Sequence, residues 1–339
     1  MYKAVYGNDV MIVGDIHFSD VFKGKHISYI ENCSWVLKQI THKLKETKPT
    51  ALVLLGDLVG WTETNIKSRE MLSLFIRVLK EWNQICPVYS LRGNHDIKGY
   101  PDFNLFAELG LIITSTACGG YFDYYASEAD TIPQARFHML DYKSEGRKLD
   151  LPNNPKTSNI ALVHNNFTVS GATNWYQEHD GIELSMQTNL YGVDLVVAGH
   201  IHNPSPNIIT TTLGEKQCML FYPGCPTRPI KDKNMWESCW YLHIRYNKAV
   251  DACDIVPEEF KLRPSTEIFY ADEDFIDDAE KTEADIQEEL RKENLKAILD
   301  DLMKYRMQGG DLYNQIDIIP NASPEAKAIA KSYLQKAFS

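Results

Sequence analysis

The sequence predicts an α/β protein in which two β-sheets pack face to face and helices cover the outside. Three observations support this fold class. Short apolar runs alternate with helix-period segments in the first part of the chain. The middle of the chain carries many strand-like segments joined by turns. The composition, with 44% hydrophobic and 24% charged residues, is typical of a globular protein with a sizeable core.

The first part of the chain alternates predicted strands with predicted helices. Apolar runs at Val10 to Val13, Ala51 to Leu55 and Pro87 to Leu91 predict buried strands. Apolar residues at three- and four-residue steps predict helices from Ile27 to Leu44 and from Met71 to Trp82. This order predicts a parallel sheet, whose ligands gather at the carboxyl ends of the strands.

The middle of the chain changes character and predicts a second set of strands with turn-rich links. This pattern, after the strand–helix units, favours two packed sheets. The predicted strands are Tyr121 to Tyr125, Ala135 to Tyr142, Asn159 to Val163, Asp194 to Ala198, Gln217 to Tyr222, Ser238 to Tyr246, Ala249 to Ile255 and Glu267 to Tyr270.

The C-terminal part has a different composition. From about Ala271 the chain is acidic and poor in apolar residues, which is typical of a linker. Capping signals predict one helix from Thr282 to the glycines at 309–310, and a second that begins at Ser323. We therefore predict a main domain over residues 1–258 and a linker with a small helical extension over residues 259–339.

Charge, cysteine usage and hydropathy limit the functional classes. The net charge of −11 counts against a lone nucleic-acid binder unless a partner supplies basic surface. The seven cysteines are scattered without a Cys-x-x-Cys pair, as expected for free thiols in a reducing compartment. No apolar run approaches the ~20 residues of a membrane span, and the first residues lack a secretion-signal core. We expect a cytoplasmic protein without a membrane segment.

Polar side chains follow most of the predicted strands, and their types are those of metal ligands. No thiolate is among them, so manganese, iron or zinc is favoured. Eight such groups exceed one tetrahedral site and suit two ions that share a bridging carboxylate. Each group alone has an ordinary structural explanation, such as turn chemistry or a core histidine; the combination is what is specific. The groups are Asp15, His17, Asp57, Asn94, His95, His164, His200 and His202.

These residues occur as the segments GDIH, GDLV, GNHD, VHNN and GHIH, in that order. The set resembles the calcineurin-like metallophosphoesterase superfamily, whose pattern is Asp-x-His, Gly-Asp, Gly-Asn-His-Asp/Glu, a lone His and Gly-His-x-His. Every block of that pattern is present between Asp15 and His202. The resemblance implies a β-sandwich flanked by helices and hydrolysis of phosphoesters with two divalent ions. Mn²⁺ is expected, with Fe, Zn and Mg as alternatives.

The resemblance also implies a role for each residue. A hydroxide between the ions would attack phosphorus, its pKa lowered by both charges. His95 would stabilise the transition state and protonate the leaving oxygen. Asp96 would either orient that imidazole as part of the catalytic group or cap the turn. The first ion would be held by Asp15, His17, Asp57 and His202, and the second by the bridging Asp57 with Asn94, His164 and His200.

One segment points to a branch of the superfamily. Tyr222 to Arg228, with the sequence YPGCPTR, resembles the strand-then-Gly-Ser-Pro segment of SbcD-like DNA repair exonucleases, with Cys225 in place of the small hydroxyl residue. The phosphoprotein phosphatases have an Asp-Arg-Gly that the stretch after Asp57 lacks. The SbcD-like resemblance implies an exo- or endonuclease subunit for DNA repair or recombination, with DNA as substrate and a coiled-coil ATPase as partner. Arg228 is a candidate substrate-binding residue.

Two other functions stay open at this point. A phosphatase or phosphodiesterase for nucleotides or phosphoproteins would carry the same metal blocks, and the acidic charge modestly favours it. A non-catalytic scaffold is disfavoured because every ligand and the acid histidine are present. The terminal helices fit an accessory cap or a homodimer arm as well as they fit partner docking.

Overall fold

The computed structural model describes residues 3–19, 28–60, 69–98, 100–144, 146–152, 154–169, 181–229 and 236–269. The chain divides into two compact units, Met1–Asp272 and Glu273–Ser339, and the described residues belong to the first. The predicted acidic linker and the two predicted terminal helices lie outside the described residues. The predicted division after residue 258 stays a prediction.

The described residues form fifteen strands, five α-helices and three short 3₁₀ turns. The helices are α1 (Ser28–Thr47), α2 (Arg69–Ile85), α3 (Asn94–Lys98), α4 (Tyr100–Glu108) and α5 (Ser115–Cys118). The strands are β1 (Ala4–Tyr6), β2 (Val10–Val13), β3 (Ala51–Leu54), β4 (Val88–Ser90), β5 (Ile113–Thr114), β6 (Tyr121–Tyr125), β7 (Ala135–Leu140), β8 (Ser158–His164), β9 (Phe167–Thr168), β10 (Ile182–Glu183), β11 (Leu195–Gly199), β12 (Ile209–Leu213), β13 (Lys216–Phe221), β14 (Ser238–Asn247) and β15 (Ala252–Lys261).

The strands make two large sheets. One has six strands in the order β15-β14-β2-β3-β4-β5, with β2 to β5 parallel and β14 antiparallel to both of its neighbours. The other has seven strands in the order β1-β6-β7-β8-β11-β13-β12, and β7, β8, β11 and β13 are parallel. Strands β9 and β10 form a separate two-stranded sheet. The predicted parallel core therefore exists, and it occurs in both sheets.

The two sheets share one apolar core. Val10 and Ile12 of β2 face this core, whereas Met11 between them faces helices on the outer side. Side chains alternate between the faces of a strand, so a strand covered on both faces is apolar throughout. Across the core, the ring of Phe122 stacks on Tyr89 at 4.1 Å and on Phe137 at 4.8 Å between centroids.

Helices and turns cover the outer faces. Leu37 of α1 and Phe75 of α2 are fully or almost fully buried against the six-stranded sheet. Leu184 and Leu190, in 3₁₀ turns, pack on the outer face of the seven-stranded sheet. The predicted fold class, two packed sheets flanked by helices, is confirmed.

The predicted strand from Glu267 to Tyr270 is wrong in its described part. Ser265–Glu267 is a 3₁₀ turn, and Ile268 and Phe269 are buried by packing on the core beneath the helices. Their apolar character thus comes from side-chain packing and not from sheet pairing. The preceding strand β15 runs to Lys261 at the sheet edge, where Pro257 is tolerated because an edge strand has an unpaired side.

Within the described ranges, no helix is both long enough and apolar enough to cross a membrane.

Phe122→Ala should lower the free energy of unfolding by about 3–5 kcal/mol, because it removes a fully buried ring that stacks on rings from both sheets. Urea denaturation followed by tryptophan fluorescence measures the change. Ile132→Ala, at a side chain that is 44% exposed, is the matched control and should change stability little. Equal effects of the two substitutions would contradict the shared core.

Candidate metal centre

The candidate ligands lie where parallel strands of both sheets end. Asp15 follows β2, Asp57 follows β3, and Asn94 follows β4, in three adjacent strands of the six-stranded sheet. His164 ends β8, and its register partner Gly199 ends β11, directly before His200. Because the sheets pack face to face, these two edges bring their polar residues together.

The side chains form two groups that could each hold a metal ion. In each group, the possible ligand atoms all lie within 4.8 Å of one another. Nε2 of His17 lies 3.0 Å from Nε2 of His202 in the first group. The first group is Asp15, His17 and His202, and the second is Asp57, His164 and His200.

Asn94 and Asp57 complete the arrangement. The amide oxygen of Asn94 lies 3.0 Å from Nε2 of His164 and 3.0 Å from Nδ1 of His200, which places it with the second group. Oδ2 of Asp57 lies 3.3 Å from Nε2 of His164 and 3.5 Å from Nε2 of His17. Asp57 of the second group therefore also lies close to the first group, which is the position that a bridging carboxylate requires.

Backbone carbonyls fix the orientation of two imidazoles. Nδ1 of His17 donates to the carbonyl of Gly60 at 2.6 Å, and Nδ1 of His164 donates to the carbonyl of Leu55 at 2.7 Å. A carbonyl oxygen only accepts, so Nδ1 carries the proton in both rings. Nε2 then faces the site, as in histidines that ligate a metal while the other ring nitrogen holds a hydrogen bond.

Three of the ligands have a strained backbone. The φ angles of His17, Asp57 and His200 are 45°, 44° and 84°, in a region that non-glycine residues seldom adopt. Hydrogen bonds hold these turns: the His17 N–H donates to the carbonyl of Asp57 at 2.8 Å, and the His200 N–H donates to Oδ2 of Asp15 at 2.8 Å. These hydrogen bonds keep the ligand side chains directed at the site.

Gly56 is required beside this site. Its φ is +98°, and a Cβ at this position would lie 2.7 Å from Nδ1 of His164. A larger residue would displace the imidazole that the Leu55 carbonyl holds.

The donor set fits divalent cations. Its carboxylate, amide and imidazole atoms suit manganese, iron or zinc, and no cysteine is among them. Oδ1 of Asp15 is buried and accepts no hydrogen bond within the described part of the chain. A buried carboxylate oxygen without a donor is costly unless a cation compensates it. The residues thus fit two metal ions.

The pKa values of the histidine ligands and of Asp57 agree with binding of metal cations. Burial lowers the pKa of His17 and His200 to about 4 and the pKa of His202 well below its usual value, so these rings are neutral at pH 7. Burial opposes ionisation of Asp57, but His164, His17 and His95 hold its pKa below the usual range. Burial also opposes protonation of His164, yet the charges of Asp57 and Asp15 raise its pKa to about 10.

His95 lies beside the ligands and outside both groups. Its ring meets the ring of His17 edge to face, with centroids 5.2 Å apart. Its backbone N–H donates to Oδ1 of Asp57 at 2.8 Å, which leaves Oδ2 of that carboxylate for the site. The predicted role of His95 as the acid for the leaving group stays a prediction that this position suits.

Asp96 makes the contacts of a turn cap. Its Oδ2 accepts the N–H of Gly93 at 2.9 Å, and its Oδ1 accepts those of Leu58 and Val59 at 2.9 and 3.3 Å. The carboxylate therefore joins the loop after β3 to the loop after β4. These contacts match the second of its two predicted roles; a part in catalysis stays untested.

Arg228 is buried in the protein and makes structural contacts. Its guanidinium donates to the carbonyl of Trp236 at 3.2 Å and to the carbonyl of Arg263. A group committed to two carbonyls is poorly placed for substrate, so the predicted substrate-binding role gains no support.

The segment around Arg228 supports the metal loops instead. The hydroxyl of Thr227 donates to the carbonyl of Ile16 at 2.6 Å, between the two ligands of the first strand loop. The N–H of Cys225 donates to the carbonyl of His202 at 2.8 Å. The YPGCPTR segment thus fixes the loops that carry Asp15, His17 and His202.

Tyr142, which the sequence pattern did not mark as a candidate site residue, lies beside two of the metal-binding histidines. The ring centroid of Tyr142 lies 6.1 Å from that of His164 and 5.9 Å from that of His200. Its N–H donates to the carbonyl of Arg92, and Asp141 accepts the N–H of Arg92, so this loop is tied to the strand end that carries Asn94. The available signal was its place after an apolar strand, the same position as the ligands.

Comparison with known proteins agrees with this geometry. Residues 9–204, more than half of the chain, match the calcineurin-like phosphoesterase family, and the chain belongs to that family. No curated protein sequence matches the chain.

The solved structures that match the chain share little sequence with it. A putative 5′-nucleotidase from Staphylococcus aureus has 10% identity and a TM-score of 0.40; the match covers 78% of this chain and 56% of that one. A dimetal phosphatase from Danio rerio has 11% identity and a TM-score of 0.43, covering 70% and 92%. A single mutant of Vps29 from Entamoeba histolytica has 10% identity and a TM-score of 0.31, covering 75% and 99%.

Metal affinity should rise with pH between pH 7 and 9, by about tenfold per pH unit for each proton released. In the metal-free protein burial raises the pKa of Asp15 to about 8, and the charges of Asp57 and Asp15 raise the pKa of His164 to about 10, so both ligands must lose a proton to bind an ion. Calorimetric titration with Mn²⁺ in two buffers of different ionisation enthalpy measures the released protons. A pH-independent affinity would contradict the assignment of Asp15 and His164 as ligands.

Asp57→Asn should lower Mn²⁺ affinity by at least about 100-fold, because it removes the charge between the two groups. Asp96→Asn is the matched control. It should keep two ions per chain but lose about 1–3 kcal/mol of stability, because its amide N–H₂ would meet backbone N–H groups. Elemental analysis after Mn²⁺ loading measures the number of bound ions. Loss of both ions from Asp96→Asn would contradict the assignment of Asp57 as a ligand and Asp96 as a turn cap.

Proposed function

We propose that the protein is a two-metal phosphodiesterase that cleaves DNA, as the nuclease subunit of a repair or recombination complex. The main support for phosphoester hydrolysis with two metal ions is that all seven predicted ligands lie in two adjacent groups. Asp57 of the second group is close to the first. The ions would supply positive charge to the phosphoryl oxygens and activate a water for attack. The family assignment supports phosphoester hydrolysis.

The protein's own residues have distinct tasks in this proposal. His17 and His164 keep Nε2 directed at the ions because their Nδ1 atoms are held by backbone carbonyls. His95 stands beside the first group and donates a proton to the leaving oxygen. Asp96 holds the loop that carries His95 and Asn94 against the loop that carries Asp57.

Two features support DNA as the substrate. The YPGCPTR segment resembles its counterpart in SbcD-like nucleases. It donates hydrogen bonds to the loop that carries Asp15 and His17 and to the loop that carries His202. Tyr142 presents a half-buried ring next to His164 and His200, and Lys143 lies over this ring at 5.4 Å. An aromatic ring beside a cation is a suitable platform for a base and its phosphate.

A phosphatase or phosphodiesterase for nucleotides or phosphoproteins is the second candidate. The net charge of −11 favours it, because DNA binding requires compensating basic surface. In the nuclease proposal, a coiled-coil ATPase partner would provide such surface.

The substrate class is tested by incubating the Mn²⁺-loaded protein with end-labelled single- and double-stranded DNA, bis-p-nitrophenyl phosphate and p-nitrophenyl phosphate. The proposal predicts cleavage of DNA and of the diester, and little turnover of the monoester. Turnover of the monoester or of nucleotides without DNA cleavage would contradict the nuclease and favour the second candidate.

His95→Asn should lower kcat by about 10²- to 10⁴-fold while both ions stay bound, because it removes a proton donor and no ligand. Steady-state kinetics with a DNA substrate, whose alkoxide leaving group must be protonated, and with bis-p-nitrophenyl phosphate, whose leaving group is much more acidic, measure the loss. The loss should be smaller for the better leaving group, which needs less protonation. An equal loss for both substrates would contradict the acid role.

A further inference from the structure

A second polar pocket lies at the turn between α5 and β6. Its volume is about 230 Å³, and polar atoms dominate its lining. None of the metal ligands is among its lining residues. The side chains that line it include Lys3, Tyr121, His138, Arg147, Lys148 and Asp150.

The pocket is cationic. Within the described ranges, no carboxylate forms an ion pair with Lys3, Arg147 or Lys148. The one carboxylate of the lining, Asp150, lies 3.5 Å from Nη1 of Arg136, an arginine that pairs more closely with Asp123. Three cations and one carboxylate therefore line the pocket, which leaves an excess of positive charge.

The turn at Gly119 and Gly120 lets two of these cations approach closely. Gly120 has φ of +91°, and a Cβ there would lie 2.0 Å from Nη2 of Arg147. Gly119 has φ of +74°, and a Cβ there would lie 3.3 Å from Nζ of Lys3. Nη2 of Arg147 also donates to the carbonyl of Gly119 at 3.1 Å, so the guanidinium is held over the turn.

The other walls are fixed as well. Nζ of Lys3 lies over the ring of Tyr121 at 4.6 Å from its centroid. The guanidinium of Arg136 also packs over this ring at 4.0 Å, while it holds Asp123 through two hydrogen bonds of 2.7 and 2.9 Å. Burial lowers the pKa of His138 to about 4, so this ring is a neutral hydrogen-bonding wall at pH 7.

We propose that this pocket binds a phosphate group. Arginine and lysine with spare hydrogen-bond donors suit phosphate oxygens, and the guanidinium fork suits a bidentate contact. The volume admits one phosphate group with part of an attached molecule. The site is separate from the metal centre and does not depend on the proposed nuclease function.

The pocket and the metal centre share one loop. Tyr142 lies against the metal-binding histidines, and Arg147 stands five positions further along. Five extended residues span at most ~17 Å, so this loop keeps the two sites within reach of one extended ligand. The bound phosphate group could therefore belong to the backbone of a nucleic-acid strand that reaches the metal centre, or to a free phosphorylated compound.

The test uses the full chain after chelation of metals, because bound metal ions would also attract phosphate. Calorimetric titration with inorganic phosphate at low salt measures binding to the wild type, to the double variant Arg147→Gln/Lys148→Gln, and to the control Lys248→Gln, an exposed lysine outside the pocket. The double variant should bind at least tenfold more weakly, and Lys248→Gln should match the wild type. Circular dichroism checks that these variants of exposed side chains stay folded.

To distinguish a strand backbone from a free phosphorylated compound, the titration is repeated with five-nucleotide thymidine oligonucleotides that carry a 5′-phosphate or a 5′-hydroxyl. Tighter binding of both oligonucleotides than of inorganic phosphate, lost in the double variant, supports the site and identifies a strand backbone. Oligonucleotide binding no tighter than that of inorganic phosphate supports the site and identifies a small phosphorylated ligand. Absence of phosphate binding to the wild type, or equal binding by the double variant, would overturn the proposal.

Discussion

The need to compensate the buried carboxylate of Asp57 governs the structure around it. This side chain is almost fully enclosed, and its oxygens contact one backbone N–H and two imidazoles. Removing a charge from water is costly unless opposite charge and hydrogen-bond donors surround it. The protonated His164 supplies that charge in the metal-free protein, and two cations would supply it in the loaded protein.

The fold holds the groups that compensate the charge of Asp57 in fixed positions. Each ligand loop follows a strand whose two faces are buried, so the strand ends cannot shift without disturbing a core. The loops are then joined to one another by Asp96, by the Asp15 contact with the His200 N–H, and by Thr227. The strained backbone at His17, Asp57 and His200 persists because these bonds and the packing fix it from both sides.

Much of the fold and the ligand set could be predicted, because both follow from short-range patterns. Apolar runs marked the strands, and polar residues directly after them marked the site. What could not be predicted depends on distant contacts. The burial of Arg228 comes from carbonyls at Trp236 and Arg263, and the cap role of Asp96 comes from N–H groups on another loop. Ile268 and Phe269 looked like a strand because burial by a helix layer and burial by a sheet select the same residue types.

Anomalous diffraction from crystals loaded with Mn²⁺ is the most direct test of the two-metal centre. Two peaks per chain are expected, one among Asp15, His17 and His202 and one among His164, His200 and Asn94, with Asp57 contacting both. A single peak, or peaks away from these residues, would contradict the two-metal centre on which the proposed phosphodiesterase chemistry rests.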